Sequence, residues 1–163
     1  MLVYRIGSSR YPANDGNGAA QYGGRWNHKG VPVIYAAESR ALCALEILAS
    51  GRELANDYIS IPIEVPDDIP CRILRATELP EGWNAAEHGN STRELGTAWA
   101  DSNETVVLVV PSAVLPRERN YLINPRHAGF SRITFHDAEP FSFDSRLGAG
   151  KQGLLAGTPP NAA

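Results

Sequence analysis

The chain has 163 residues and a formal net charge of −3, a length that suits one domain able to bury a core without disulfides or metals. All of its basic residues except Lys29 and Lys151 are arginine, and they are scattered along the chain, so no nucleic-acid footprint is present. The N-terminal MLVYRIGSSR lacks the long apolar stretch of a signal peptide and no run approaches transmembrane length, so the expected location is the cytoplasm.

Leu2 to Ile6 reads as a short strand, and the Gly-, Ser-, Asn- and Asp-rich segment Ser8 to Gly24 as a loop. Val31 to Ala37 is a β-branched and aromatic run that reads as a strand, with Pro32 at its start. Ser39 is placed to cap a helix over Ala41 to Ala49, which Gly51 stops. Tyr58 to Val65 alternates as a strand does, and Pro62 assigns it to an edge or an irregular position. Arg72 to Leu74 is a further short strand, and Leu79 to Gly89 a loop with a turn of helix. Ser91 to Ala100 reads as a helix with Ser91 and Glu94 in capping-box spacing. Thr105 to Val110 has the pattern of a fully buried strand; Asn120 to Ile123 and Arg132 to Phe135 complete the set. Several short strands with two clear helices predict a single-domain α+β fold with a mixed sheet, followed from Gly148 by a Gly-, Pro- and Ala-rich tail.

The chemistry concentrates between Tyr22 and Ala49. In GGRWN, Gly23 and Gly24 let the backbone come close to a ligand, beside the phosphate-matching fork of Arg25. Tyr35 ends a strand just before a helix, where its ring can face a flat, cationic ligand. Glu46 is the sole charge in ALCALEILA; a carboxylate among apolar neighbours is costly unless it is paired, hydrogen-bonded or used. Ser112 lies just past the buried strand, within reach of a ligand; Asn124 and His127 follow in NPRH. Each has a plainer reading: a hairpin turn at Arg25, a core tyrosine at Tyr35, a structural ion pair at Glu46, a turn serine at Ser112 and loop residues at Asn124 and His127. Cys43 and Cys71 show no metal-ligand spacing, so no metal is expected, and Cys43 reads as a small core residue.

Taken together, Tyr4-Arg5, GGRWN at Gly23 to Asn27, VIYAAES at Val33 to Ser39, ALEIL at Ala44 to Leu48, VPSAV at Val110 to Val114, NPRH at Asn124 to His127 and FSFDSRL at Phe141 to Leu147 resemble the RES domain, over residues 1–147. The resemblance implies a toxin of a bacterial toxin–antitoxin pair. It implies an ADP-ribosyltransferase-like fold, a split mixed β-sheet with a few flanking helices whose cleft takes NAD+ as substrate. It further implies cleavage of the nicotinamide–ribose bond, with water, phosphate or a protein of nucleotide metabolism as acceptor, and an antitoxin partner carrying a helix-turn-helix DNA-binding domain. On that footing Arg5 or Arg25 fixes the pyrophosphate, Tyr35 stacks on the nicotinamide, Glu46 stabilises the ribosyl cation, Ser112 orients a ribose or phosphate and Asn124 adds to the NAD+ site. Two alternatives stand beside it: a non-catalytic nucleotide-binding module, and an enzyme using Ser112 and His127 as nucleophile and base. The latter lacks a G-x-S-x-G elbow around Ser112.

Overall fold

The computed structural model describes residues 1–51, 54–87 and 89–149. In chain order the elements are β1 (Leu2–Ser8), α1 (Asn17–Tyr22), β2 (Ile34–Ala37), α2 (Arg40–Ala49), β3 (Tyr58–Glu64), β4 (Cys71–Ile73), α3 (Asn90–Ser102), β5 (Val107–Pro111), β6 (Arg119–Ile123), β7 (Thr134–Phe135), β8 (Glu139–Pro140) and α4 (Ser145–Ala149). The eight strands form one mixed sheet in the order β4-β5-β6-β2-β1-β3-β7, with β8 also paired to β3. Among the described residues only β4 and β5 run parallel; the other pairs are antiparallel.

The centre of the sheet, β2, β5 and β6, is buried on both faces, and period-two alternation sorts its side chains. Val107, Val109, Tyr121 and Ile123 join Ile34 and Ala36 in one core cluster. Leu108, Val110 and Leu122 join Val33, Trp26 and Trp99 in a second, on the opposite face. A third cluster, Ile6, Ala37, Leu42 and Cys43, seats α2. The sheet is split in its middle: β1 runs beside β3 from Leu2 to Ser8, but meets β2 only at Tyr4 opposite Ala37. Along that seam the Arg5 guanidinium takes the place of a backbone rung, with Nη1 donating to the Tyr35 carbonyl at 3.0 Å.

Four local expectations change. The loop from Ser8 to Gly24 contains α1, only six residues long and too short to persist alone. Its carbonyls are satisfied from outside: Asn27 Nδ2 donates to Ala19 O and Gly30 N to Ala20 O. Strand β3 is not an edge. The Pro62 carbonyl faces the β7–β8 side, where it accepts from His136 N, in the gap between those two short strands. Proline has no N–H to return a bond to the His136 carbonyl, so this contact is a single hydrogen bond. Helix α3 starts one residue early, with Gly89 as its cap and no capping side-chain bond; that places Ser91 inside the first turn, and Glu94 is too far along to reach back. Of the strand expected from Arg132 to Phe135, only Thr134–Phe135 forms, because Ala128–Arg132 closes a 3-10 turn capped by His127, whose Nδ1 accepts from Gly129 N. The tail from Gly148 begins inside α4, and its remainder, residues 150–163, lies outside the described residues.

Candidate active site

A cleft of about 450 Å³ opens over the split, within the usual size of small-molecule sites. Strand β1 brings Arg5 to it, β2 brings Tyr35, α2 brings Cys43 and Glu46, and the turn before β2 brings Arg25. Arg5, Arg25, Tyr35 and Glu46, the candidate site residues from the first third of the chain, therefore meet on one cavity.

Glu46 is held by residues at the end of β5 and the start of β6. Its Oε1 accepts from Ser112 Oγ at 2.7 Å and from Asn120 Nδ2 at 2.6 Å. No ion pair involves Glu46 among the described residues, so the structural salt bridge considered for it is not what holds it. Ser112 differs from expectation. It is fully buried and does not line the cleft; its hydroxyl donates to Glu46 and accepts from Val114 N and Leu115 N. With its hydrogen bonds committed, it positions the carboxylate and has none left for a ligand. Asn120 is the residue that sequence reasoning passed over as an ordinary strand position. The available signal was an amide at the start of the apolar run Tyr121 to Ile123; its place opposite Ala37 follows from the sheet register.

Tyr35 and the GGRWN turn lock each other. The Tyr35 hydroxyl donates to Asn27 Oδ1 at 2.7 Å and accepts from Trp26 N at 3.1 Å. Asn27, fully buried, spends its amide on three backbone carbonyls. A Cβ on Gly24 would stand 2.5 Å from the Tyr35 hydroxyl oxygen, so the second glycine of the motif is required by this close approach. Burial pushes the Tyr35 phenol above its ordinary value, partly offset by its hydrogen bond with the Trp26 backbone; it stays neutral and keeps its donor. The ring remains on the cleft wall.

The two arginines are not equivalent. Arg25 Nη1 donates to Trp83 O at 2.7 Å and Nη2 to Ala85 O at 2.8 Å, fastening the segment Leu79–Glu87 along the rim. Arg5 makes no ion pair among the described residues, and its buried Nε has no hydrogen-bond partner. Burial lowers the pKa of both guanidiniums; the nearby Glu46 opposes this at Arg25. Asp15 exerts a favourable charge effect on Arg5 but makes no ion pair with it among the described residues; a buried cation so placed can receive an anion.

Asn124 and His127 are not brought to the cleft. The Asn124 amide donates to Ala100 O and Asn103 Oδ1 and its Oδ1 accepts from Arg126 N, tying the end of α3 to the β6 exit. His127 caps its own turn, so it does not form a pair with Ser112. Among the described residues no group of three or more His, Cys, Asp or Glu could hold a metal, and no helix is long and apolar enough to cross a membrane. Cys43 lines the cleft, but its thiol donates to Tyr4 O and burial pushes its pKa to about 11. At pH 8 only about one thiol in a thousand is then ionised. Iodoacetamide mapped by peptide mass spectrometry is expected to leave Cys43 unmodified on the timescale on which free glutathione reacts; equal rates would contradict this environment.

A family model described as the RES domain matches residues 2–144. The chain belongs to the RES domain family. It is 38% identical to "Toxin Res" of Photorhabdus laumondii over 90% of this chain and 97% of that one. It is 42% identical to the "Prs ADP-ribosylating toxin" of a Sphingobium strain over 84% and 89% of the respective chains. A chain of the M. tuberculosis MbcT–MbcA toxin–antitoxin complex shares the fold, with a TM-score of 0.71 at 18% identity, covering 93% of this RES domain protein and 87% of that chain.

Proposed function

We propose that this RES domain protein is a cytoplasmic toxin enzyme that binds NAD+ as its substrate, cleaves the nicotinamide–ribose bond and passes ADP-ribose to an acceptor. The observation that carries this reading is the placing of Glu46. A carboxylate fixed through Oε1, with Oε2 making no protein hydrogen bond among the described residues, stands on the same cleft as Arg5, Arg25 and Tyr35. Residues 1–147 form the catalytic unit and 148–163 the tail.

As the C1′–N bond breaks, its electron pair leaves with nicotinamide and cancels the ring's charge, and positive charge develops at the ribose. Glu46 opposes that charge and accepts from a ribose hydroxyl through Oε2. Arg5 takes the pyrophosphate by charge-assisted hydrogen bonds. Arg25 contributes its remaining N–H groups and holds the rim segment. Tyr35 offers its ring to the pyridinium. Ser112 and Asn120 act through Glu46 as positioning residues. No step requires a metal. A new bond from C1′ to the acceptor's nucleophilic atom, with loss of its proton, completes the reaction.

The name of the Sphingobium relative supports a protein acceptor, and a protein of nucleotide metabolism is the expected class. Water or phosphate as acceptor gives NAD+ depletion through the same four groups. Incubation of the pure protein with NAD+ should release nicotinamide, and mass spectrometry then separates ADP-ribose, its phosphorylated form and a modified protein. Absence of any nicotinamide release, with and without cell extract as a source of acceptor, would return the chain to the class of non-catalytic nucleotide-binding modules. The regulatory partner is an antitoxin that covers the cleft and carries a helix-turn-helix domain.

Two variants separate binding from turnover. Arg25→Ala is expected to weaken NAD+ binding by about tenfold, the order of one charge-assisted hydrogen bond, with little loss of thermal stability; unchanged affinity by calorimetry would remove Arg25 from the site. Ser112→Ala releases one of the two anchors of Glu46. It is expected to lower kcat by about tenfold, since misplacement of a catalytic group is costly, while KM for NAD+ moves little; an unchanged kcat would mean that Asn120 suffices.

A further inference from the structure

A second cavity, of about 320 Å³, lies at the carboxyl ends of β4 and β5, the sheet's one parallel pair among the described residues. The two chains part there. After Leu74, whose N–H still donates to Val109 O, the chain enters a 3-10 turn at Ala76–Glu78. After Pro111, β5 enters the hairpin that leads to Arg119. Crevices where neighbouring parallel strands end and their chains diverge are recurrent ligand positions.

Arg75, Arg117 and Arg119 line this crevice together with Glu118, and the Glu78 carboxylate accepts from Arg75 N at 2.7 Å beside it. None of the three arginines makes an ion pair among the described residues. Arg119 also lies beside the Tyr121 hydroxyl, with Glu38 near the same group, which leaves Arg75 and Arg117 as the least engaged. In a chain of net charge −3, three guanidiniums without an ion pair among the described residues gather around one cavity.

We propose that this crevice is a second binding site, separate from the NAD+ cleft, for the phosphate group of a small phosphorylated ligand. The planar forks of Arg75 and Arg117 match phosphate oxygens in a way that ammonium groups do not. The site shares one element with the catalytic cleft. In the hairpin from Pro111 to Asn120, Ala113, Val114 and Asn120 line the cleft and Pro116, Arg117 and Arg119 line the crevice, and Ser112 N donates to Glu118 O across it. An anion bound outside therefore bears on the strand end that carries the Glu46 anchors.

The test does not depend on the reaction assigned to the cleft. Backbone amide shifts are followed by NMR during titration with inorganic phosphate, and separately with ADP, at constant ionic strength. The expected result is saturable shifts at Arg75, Arg117 and Glu118 that survive Arg25→Ala. In the double variant Arg75→Gln, Arg117→Gln they should weaken tenfold or more, on the strength of charge-assisted hydrogen bonds. Tighter binding of ADP than phosphate identifies a nucleotide as the ligand, and equal binding identifies free phosphate. Shifts confined to Arg5, Arg25 and Tyr35, or shifts at the crevice that the double variant leaves unchanged, would overturn the proposal.

Discussion

Glu46→Gln is expected to reduce nicotinamide release by at least about 100-fold, the usual scale for removing one group that stabilises transition-state charge, while the protein stays folded. The glutamine is isosteric, and its amide oxygen can still accept from Ser112 Oγ and Asn120 Nδ2, which now converge on Oε1. What disappears is the negative charge and one oxygen that accepts from the ribose. The fall should therefore appear in kcat, with the melting temperature and KM for NAD+ close to those of the parent. A wild-type rate would remove Glu46 from the chemistry and leave its position on the cleft without a purpose. A fall in KM-defined affinity alone would make it a binding group.

Gly96→Ala is expected to cost about 3 kcal/mol of stability, at the upper end of ordinary overpacking, although the exchange favours helix by intrinsic propensity. A Cβ at Gly96 would sit 1.9 Å from the Trp26 carbonyl oxygen, and Trp26 is itself nearly fully buried. Neither backbone can move alone. Helix α3 is pinned to the same turn by Arg93 Nε donating to Gly24 O and by Thr97 Oγ1 accepting from His28 N. Urea denaturation monitored by tryptophan fluorescence measures the loss. Because the displaced residue adjoins Arg25, NAD+ affinity should fall in the same variant, unlike a core substitution remote from the cleft. A variant as stable as the parent would show that α3 and the GGRWN turn separate freely.

The part of the site legible in the sequence is the part set by local contrast. Glu46 stands out because one charge among Leu, Ile, Ala and Cys has a local energetic cost, and Gly23-Gly24 announces a close backbone approach. What those features meet is decided by chain reversal. The anchors of Glu46 come from 66 and 74 residues away, and the carbonyls that take up Arg25 from 58 and 60. Ser112 was identifiable as important, yet its position above the ligand or beneath the carboxylate depends on the curl of a hairpin that no periodicity encodes. Asn124 gave the same polar signal and belongs to a helix anchor instead. In the fold, β2, β3, β5, β6, α2 and α3 follow from apolar patterning; the two-residue strands β7 and β8 and the six-residue α1 are too short to carry a period and are fixed by their neighbours.

The single rung between β1 and β2 also decides how the molecule yields. The sheet is two rigid plates joined by a thin weld, one plate bearing Arg5 and the other Tyr35. A ligand that grips both acts as a rivet, and its affinity is added to the stability of the joint. Amide protons beside the weld are expected to exchange faster than those between β1 and β3, and to slow in proportion as NAD+ or an antitoxin fills the gap.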